Sequence, residues 1–291
     1  MNRRDLLKTI PALAVLPRLY AADPAAANKA RLHNAICAYS YRDELKSGKL
    51  TYADLVRVAV ETGADGLDLT VYWMPPDTPD SFLLPLRRLA FKNGVDIYSI
   101  SIRTEMTREK PEERSLEVAW VQKWVDVAEK LGAGHIRVFG GRVPKGASED
   151  QAAEWATEVL KRAADYSGKK GIILGLENHG GITEKASRIL EIVKKADSPW
   201  VGVNLDTGNF NSNVMPQIEV CIPHAVNVQV KVQMRGEDGV RQPADWERIV
   251  KMLISGGYRG YLALEYAAKE PALTAVPRLT RKLGDIIRQH T

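Results

Sequence analysis

The sequence predicts an α/β fold, a single-domain (β/α)8 TIM barrel, and three observations carry that expectation. The chain has 291 residues, near the upper limit for one hydrophobic core and close to the usual size of such barrels. After residue 31, eight short apolar or β-branched runs alternate with segments long enough for crossover helices. Several of those segments stop at a glycine just before the next run.

The eight predicted strands are Asn34–Tyr41, Gly66–Tyr72, Val95–Ile102, His135–Phe139, Gly171–Asn178, Val201–Asp206, Ala225–Val232 and Tyr261–Tyr266. Between them, apolar residues recur at helical spacing. Tyr52, Leu55, Val56, Ala59 and Val60 follow Thr51, a good N-cap. Trp120, Val121, Trp124, Val125, Ala128 and Leu131 form a wide stripe ahead of Gly132. Ser148 precedes Ala152, Trp155, Ala156, Val159 and Leu160, and Thr183 precedes Ile189, Leu190 and Val193. The crossover between Asp206 and Ala225 is the least regular, with helical character over Pro216–Ile222 only. Right-handed βα units of this number close most naturally into a barrel. An open nucleotide-binding sheet would call for Gly-x-Gly-x-x-Gly after the first strand, which is absent.

The barrel is expected over residues 31–291, preceded by a separate segment at 1–22. Asn2-Arg3-Arg4-Asp5-Leu6-Leu7-Lys8, a short apolar run from Ile10 to Leu16 and the small residues Ala21 and Ala22 resemble a twin-arginine signal peptide. The expectation is an exported, periplasmic or extracellular protein without stable membrane insertion. Of the formal net charge of +5, this segment holds +3, from Arg3, Arg4, Lys8 and Arg18 against Asp5. The remaining +2 is too little for a nucleic-acid-tracking surface. An oxidising compartment permits a disulfide, and Cys37 and Cys221 pair only if the fold brings their Cα atoms within about 7 Å.

In such a barrel the C-terminal strand ends converge on the active site. Glu177 follows Ile172-Ile173-Leu174-Gly175-Leu176, Asp206 follows Val203-Asn204-Leu205, and Glu265 follows Leu262-Ala263-Leu264. Gln229 and Lys231 alternate with valines in Val228–Val232. Glu177, Asp206, Gln229 and Glu265 make a hard, oxygen-rich set suited to Mn²⁺, Mg²⁺ or another first-row divalent ion. Two glutamates on either side of a substrate also suit proton exchange at adjacent carbons. Taken singly, a polar residue leaving a strand is more often a loop cap; four on successive strands, each after an apolar run, favour the joint reading.

Glu177-Asn178-His179-Gly180-Gly181, Asn204-Leu205-Asp206-Thr207-Gly208-Asn209-Phe210 and Gly257–Tyr266 resemble the xylose-isomerase-like sugar phosphate isomerase/epimerase family. The resemblance covers nearly all of the chain after residue 31. It implies metal ligation by Glu177, Asp206 and Glu265, with Glu177 and Glu265 also moving protons in epimerases. It further implies a small sugar or polyol as partner. Many relatives carry His-x-Lys-Asp on the seventh strand, where this chain reads Gln229-Val230-Lys231-Val232, and a histidine where it has Asn209. An amide oxygen binds transition metals less tightly than imidazole does.

His179 is a candidate substrate contact or acid/base, set against a loop histidine that orients backbone. Lys231 is a candidate hydroxyl or phosphate contact, and Arg137 either reaches substrate oxygens or forms an interior ion pair. Asn209 completes the candidate substrate-binding set; Tyr39, Asp68, Arg103 and Trp73 are further mouth residues. Trp120, Trp124, Trp155 and Trp246 read as packing, and His135 as structural. The leading expectation is a metal-dependent isomerase or epimerase working through an enediolate. A keto-sugar lyase or dehydratase shares its first proton transfer, and a catalytically weak sugar-binding barrel is the non-enzymatic alternative. A multi-zinc endonuclease needs more histidines than the chain supplies.

Overall fold

The computed structural model describes residues 31–236 and 238–291. The twin-arginine-like segment lies outside the described residues. Strands β1 (Leu32–Cys37), β2 (Gly66–Thr70), β3 (Asp96–Ser101), β4 (His135–Phe139), β5 (Ile173–Glu177), β6 (Val201–Asp206), β7 (Ala225–Lys231) and β10 (Gly260–Glu265) form a closed parallel barrel. β10 is the barrel's eighth strand and seals it by pairing with both β7 and β1. Two short strands, β8 (Gln233–Arg235) and β9 (Arg241–Pro243), pair antiparallel just beyond β7. That hairpin is an addition to the expected pattern.

Period-two alternation explains both layers of the barrel wall. Leu67 and Leu69, Ile136 and Val138, Leu174 and Leu176, Val203 and Leu205, and Leu262 and Leu264 are all buried in the main apolar core. Each such side chain stabilises the fold by about 1.5–3 kcal/mol relative to exposure. The alternate positions are polar and equally buried: Asp68, Ser99, Ser101, His135, Arg137, Glu177, Asn204, Asp206, Asn227 and Gln229.

Nine helices surround the barrel among the described residues: α1 (Arg42–Ser47), α2 (Tyr52–Thr62), α3 (Asp80–Lys92), α4 (Pro111–Leu131), α5 (Glu149–Ser167), α6 (Ala186–Ala196), α7 (Val214–Cys221), α8 (Trp246–Ser255) and α9 (Ala272–His290). Reciprocal caps start α2 and α5: Thr51 with Asp54, and Ser148 with Gln151. α2 and α4 end at Gly63 (φ 69°) and Gly132 (φ 81°), left-handed positions that cost glycine least. α7 fills the irregular crossover, two residues earlier than the sequence pattern suggests.

The N-terminal end of the barrel is plugged by aromatic rings. Tyr98 stacks on Tyr261 with ring centroids 3.7 Å apart. A side chain at Gly66 would press into both rings, at 2.7 Å from Tyr261 and 2.9 Å from Tyr98. Cys37 lies in β1 inside the barrel and Cys221 ends α7, and both are buried free thiols rather than a disulfide. No helix among the described residues is long and apolar enough to cross a membrane.

Candidate active site

Parallel register places the chemistry at one rim. Glu177 ends β5 and pairs in register with Phe139; Glu265 ends β10 opposite Lys231; Asp206 ends β6 opposite Gln229. Arg137 Nε lies 3.0 Å from Glu177 Oε2, an ion pair without hydrogen-bond alignment. The rest of the guanidinium donates to Ile102 O at 3.1 Å and Tyr72 Oη at 3.2 Å. It sits 4.1 Å above the Phe139 ring. Arg137 is therefore the interior ion pair, and it touches Glu177 rather than open space. Asn209 Nδ2 donates to the other Glu177 oxygen at 2.9 Å.

Lys231 organises the other two carboxylates. Its ammonium lies 3.0 Å from Asp206 Oδ2 and bonds to Glu265 Oε1. Asp206 Oδ1 accepts from the Gly208 amide at 2.8 Å. The Asn178 side chain clamps the backbone of Asp206, accepting from its amide at 2.8 Å and donating to its carbonyl at 2.9 Å.

Burial raises the proton affinity of all three carboxylates, and their neighbours then separate them. Glu177 is pushed up to about 8: burial acts first, and the Asp206 and Glu265 charges add to it. The Arg137 charge is the strongest opposing influence, and burial outweighs it. Asp206 is pushed up to about 6 by burial and by Glu265, against Lys231. At Glu265 burial is again the largest effect, yet Lys231 and Arg137 outweigh it and hold the group below the usual carboxylate range.

Gln229 does not join this group. Its Nε2 donates to Asp68 Oδ2 at 2.9 Å, and its Oε1 accepts from Asn204 Nδ2 at 2.9 Å. Asn227, Tyr98, Ser99 and Ser101 extend this network across the barrel interior. The carboxylate of Asp68 fixes which end of the Gln229 amide faces it, because a reversed amide would set oxygen against oxygen.

Of the expected metal set, Glu177, Asp206 and Glu265 lie near one another at the rim, whereas Gln229 is engaged by Asp68 and Asn204. Among the described residues, no three or more His, Cys, Asp and Glu side chains are arranged to hold a metal ion. Asp206 Oδ2 lacks a well-aligned hydrogen bond, but the charge facing it is the Lys231 ammonium. Glu177 faces Arg137, and the Gln229 oxygen is already spent on Asn204. The residues present do not fit a divalent cation as arranged.

His179 stacks on Phe139 at 4.1 Å. Burial first, then Arg137 and Lys231, push its ring down to about 4, which keeps it neutral near pH 7. Both rings line an open cleft of about 700 Å³, with Arg103, Glu105, Trp120 and Arg142 among its walls. Trp120, read from the sequence as packing, is 40% exposed there and donates to Arg103 O at 3.0 Å. Tyr39 stacks on Trp73, beside Tyr72. Phe139 and Tyr72 escaped the sequence reading, although each stands at or just beyond a strand end, where that reading found Glu177.

The fold and rim define a (β/α)8 barrel with a buried carboxylate–cation cluster at its strand ends. More narrowly, the chain belongs to the xylose isomerase-like TIM barrel family, whose model matches residues 56–286. Solved structures similar to it include D-psicose 3-epimerase from Clostridium cellulolyticum H10, with a TM-score of 0.73, 17% identity, and 88% of this chain and 98% of that chain covered. A probable 3-DHS dehydratase from Bacillus anthracis gives 0.64, 15%, 89% and 100%. A xylose isomerase-like protein from Mycobacterium smegmatis in complex with magnesium gives 0.65, 19%, 82% and 89%. Comparison with curated proteins gives no match. At these identities the likeness establishes the fold, and epimerase, dehydratase and metal complex all share it.

Proposed function

We propose that the protein is an isomerase or epimerase that moves a proton next to the carbonyl of a carbohydrate or polyol-derived substrate. One observation carries the reading. Glu177 and Glu265 are buried carboxylates whose surroundings push them in opposite directions, burial raising Glu177 to about 8 while at Glu265 burial is outweighed by Lys231, and they stand three strand steps apart across β6 and β7. Environments that push two such groups apart assign an acid and a base.

Glu265, ionised beside Lys231, takes the carbon-bound proton. The electron pair left behind forms an enediolate. Glu177, its proton affinity raised by burial, returns a proton to the same carbon from the opposite face for epimerisation; for isomerisation it protonates the neighbouring carbon while the hydroxyl proton of the enediolate passes to the former carbonyl oxygen. Asn209 fixes the Glu177 carboxyl, and Arg137 with Phe139 positions it. His179 offers a neutral ring to a sugar hydroxyl at the cleft. No step of this reading passes through a metal. The basic N-terminal segment supports the further reading that the protein works outside the cytoplasm.

The test is a panel of keto-sugars incubated with the protein in deuterated water and followed by NMR. Solvent label at one carbon, together with an epimer or isomer, is the expected result; an unsaturated product assigns a dehydratase instead. Glu177→Gln and Glu265→Gln should each slow label uptake by about 10²–10⁴-fold. Near-normal uptake in both variants overturns the acid–base assignment.

A further inference from the structure

We propose that Lys231 is itself the cation of this site, excluding a divalent metal and donating to the oxygen that becomes negative when the substrate loses its proton. The catalytic half of this inference rests on the proton-transfer reading above; the exclusion of metal does not.

Four independent features build the seat. First, Lys231 and Glu265 are register partners on adjacent strands, so their contact follows from the barrel itself. Second, the same ammonium reaches Asp206 at 3.0 Å and thus occupies the space between the two carboxylates. Third, position 208 is glycine. A side-chain carbon there would lie 2.5 Å from Lys231 Cγ, 2.7 Å from its Cβ and 2.7 Å from the Gln233 carbonyl oxygen. Any larger residue would push the lysine stem off its course. Fourth, the Gln229 amide is turned away by Asp68, so no neutral ligand faces the carboxylates from β7.

Charge accounting agrees with this arrangement. Arg137 and Lys231 together bring two positive charges to Glu177, Asp206 and Glu265, the same charge as one divalent ion. A metal entering the cluster would meet the ammonium at contact distance and find each carboxylate already paired. The lysine side chain is 18% exposed, so it is not sealed from solvent.

The chemistry balances without a further reagent. The carbon–hydrogen bond breaks, and its proton goes to Glu265. The electron pair becomes the carbon–carbon double bond of the enediolate while the carbonyl π pair moves onto oxygen. An N–H of Lys231 donates to that oxygen and stays on nitrogen throughout. Reprotonation of carbon re-forms the carbonyl. A fixed donor aimed at developing charge stabilises the transition state more than the ground state.

Two experiments on the purified full chain decide the matter. Titration with Mn²⁺ followed by electron paramagnetic resonance should show no stoichiometric binding at micromolar concentrations. Label uptake from deuterated water should be unchanged after exhaustive chelation. Lys231→Met should lose uptake at least 100-fold, and Lys231→Met combined with Gln229→His should gain Mn²⁺ binding. Stoichiometric micromolar Mn²⁺ binding by the wild type, or uptake lost on chelation and restored by metal, overturns the proposal. If no sugar takes up label in any form, the proton-transfer reading fails, and the Mn²⁺ titration still decides whether Lys231 keeps metal out. Should Lys231→Met not fold, stoichiometric Mn²⁺ binding by the wild type, or uptake lost on chelation and restored by metal, still overturns the proposal.

Discussion

Gln229 reaches across the barrel to Asp68 and gives it a hydrogen bond of 2.9 Å, although 161 positions separate the two in the chain. Removing that amide strands two buried partners, the Asp68 carboxylate and the Asn204 amino group. Each unsatisfied buried group costs about 1–3 kcal/mol. Gln229→Leu should therefore lose about 2–6 kcal/mol in urea unfolding with the fold retained. A loss under about 1 kcal/mol would show that the network does not hold the barrel interior together.

A second prediction concerns acid. Burial first, then the Arg137 charge, push the His135 ring down to about 3. Its Nδ1 lies 2.8 Å from Ser99 Oγ, whose proton serves Asp68. The unfolded chain protonates this histidine near its ordinary value of about 6.5. Between those two values the unfolded state binds more protons, so stability falls as pH falls. This one group contributes about 2 kcal/mol of that fall between pH 7 and pH 5. Glu177 and Asp206, pushed upward, act with the opposite sign: their contribution is lost as pH rises towards about 8 and about 6. The difference between wild type and His135→Asn isolates the histidine, and identical pH slopes for the two would refute the assignment.

The cleft wall gives a third. His179 presents a neutral ring at the mouth, and among the described residues its side chain makes no hydrogen bond to Glu177 or Glu265. His179→Ala should raise KM about tenfold, roughly 1.4 kcal/mol, and leave kcat within about threefold. A collapse of kcat with KM unchanged would instead place the ring in the chemistry.

The fourth addresses the segment outside the described residues. Arg3→Lys combined with Arg4→Lys should trap the precursor inside cells of the native host, and mature protein should begin near Asp23. Immunoblots of cell fractions check this. Unchanged export of the double variant removes the twin-arginine reading.

The strands were legible because burial on both faces writes long apolar runs, as in Ile173–Glu177 and Gly260–Glu265. That Glu177, Asp206 and Glu265 stand at one rim was legible because a strand's last residue opens there; Lys231 was expected to contact a substrate hydroxyl or phosphate rather than these carboxylates. What Gln229 does was not legible. Its inward direction follows from alternation, but the choice between facing the carboxylates and facing the layer beneath depends on Asp68, placed by a distant strand. The pairing of Lys231 with two carboxylates likewise depends on barrel stagger and on the space at Gly208. The β8–β9 hairpin went unseen because its strands are three residues each and polar, with Pro243 in one of them.

The stacked pair of Tyr98 and Tyr261 closes the floor of the barrel, and this governs traffic. On the function proposed above, a molecule reaching the carboxylates arrives and departs on the strand-end side of the barrel, the side on which the cleft of Phe139 and His179 lies. The next substrate waits on the threshold until the last product has left. Product should therefore compete head-on with substrate, raising its apparent KM without lowering the maximal rate.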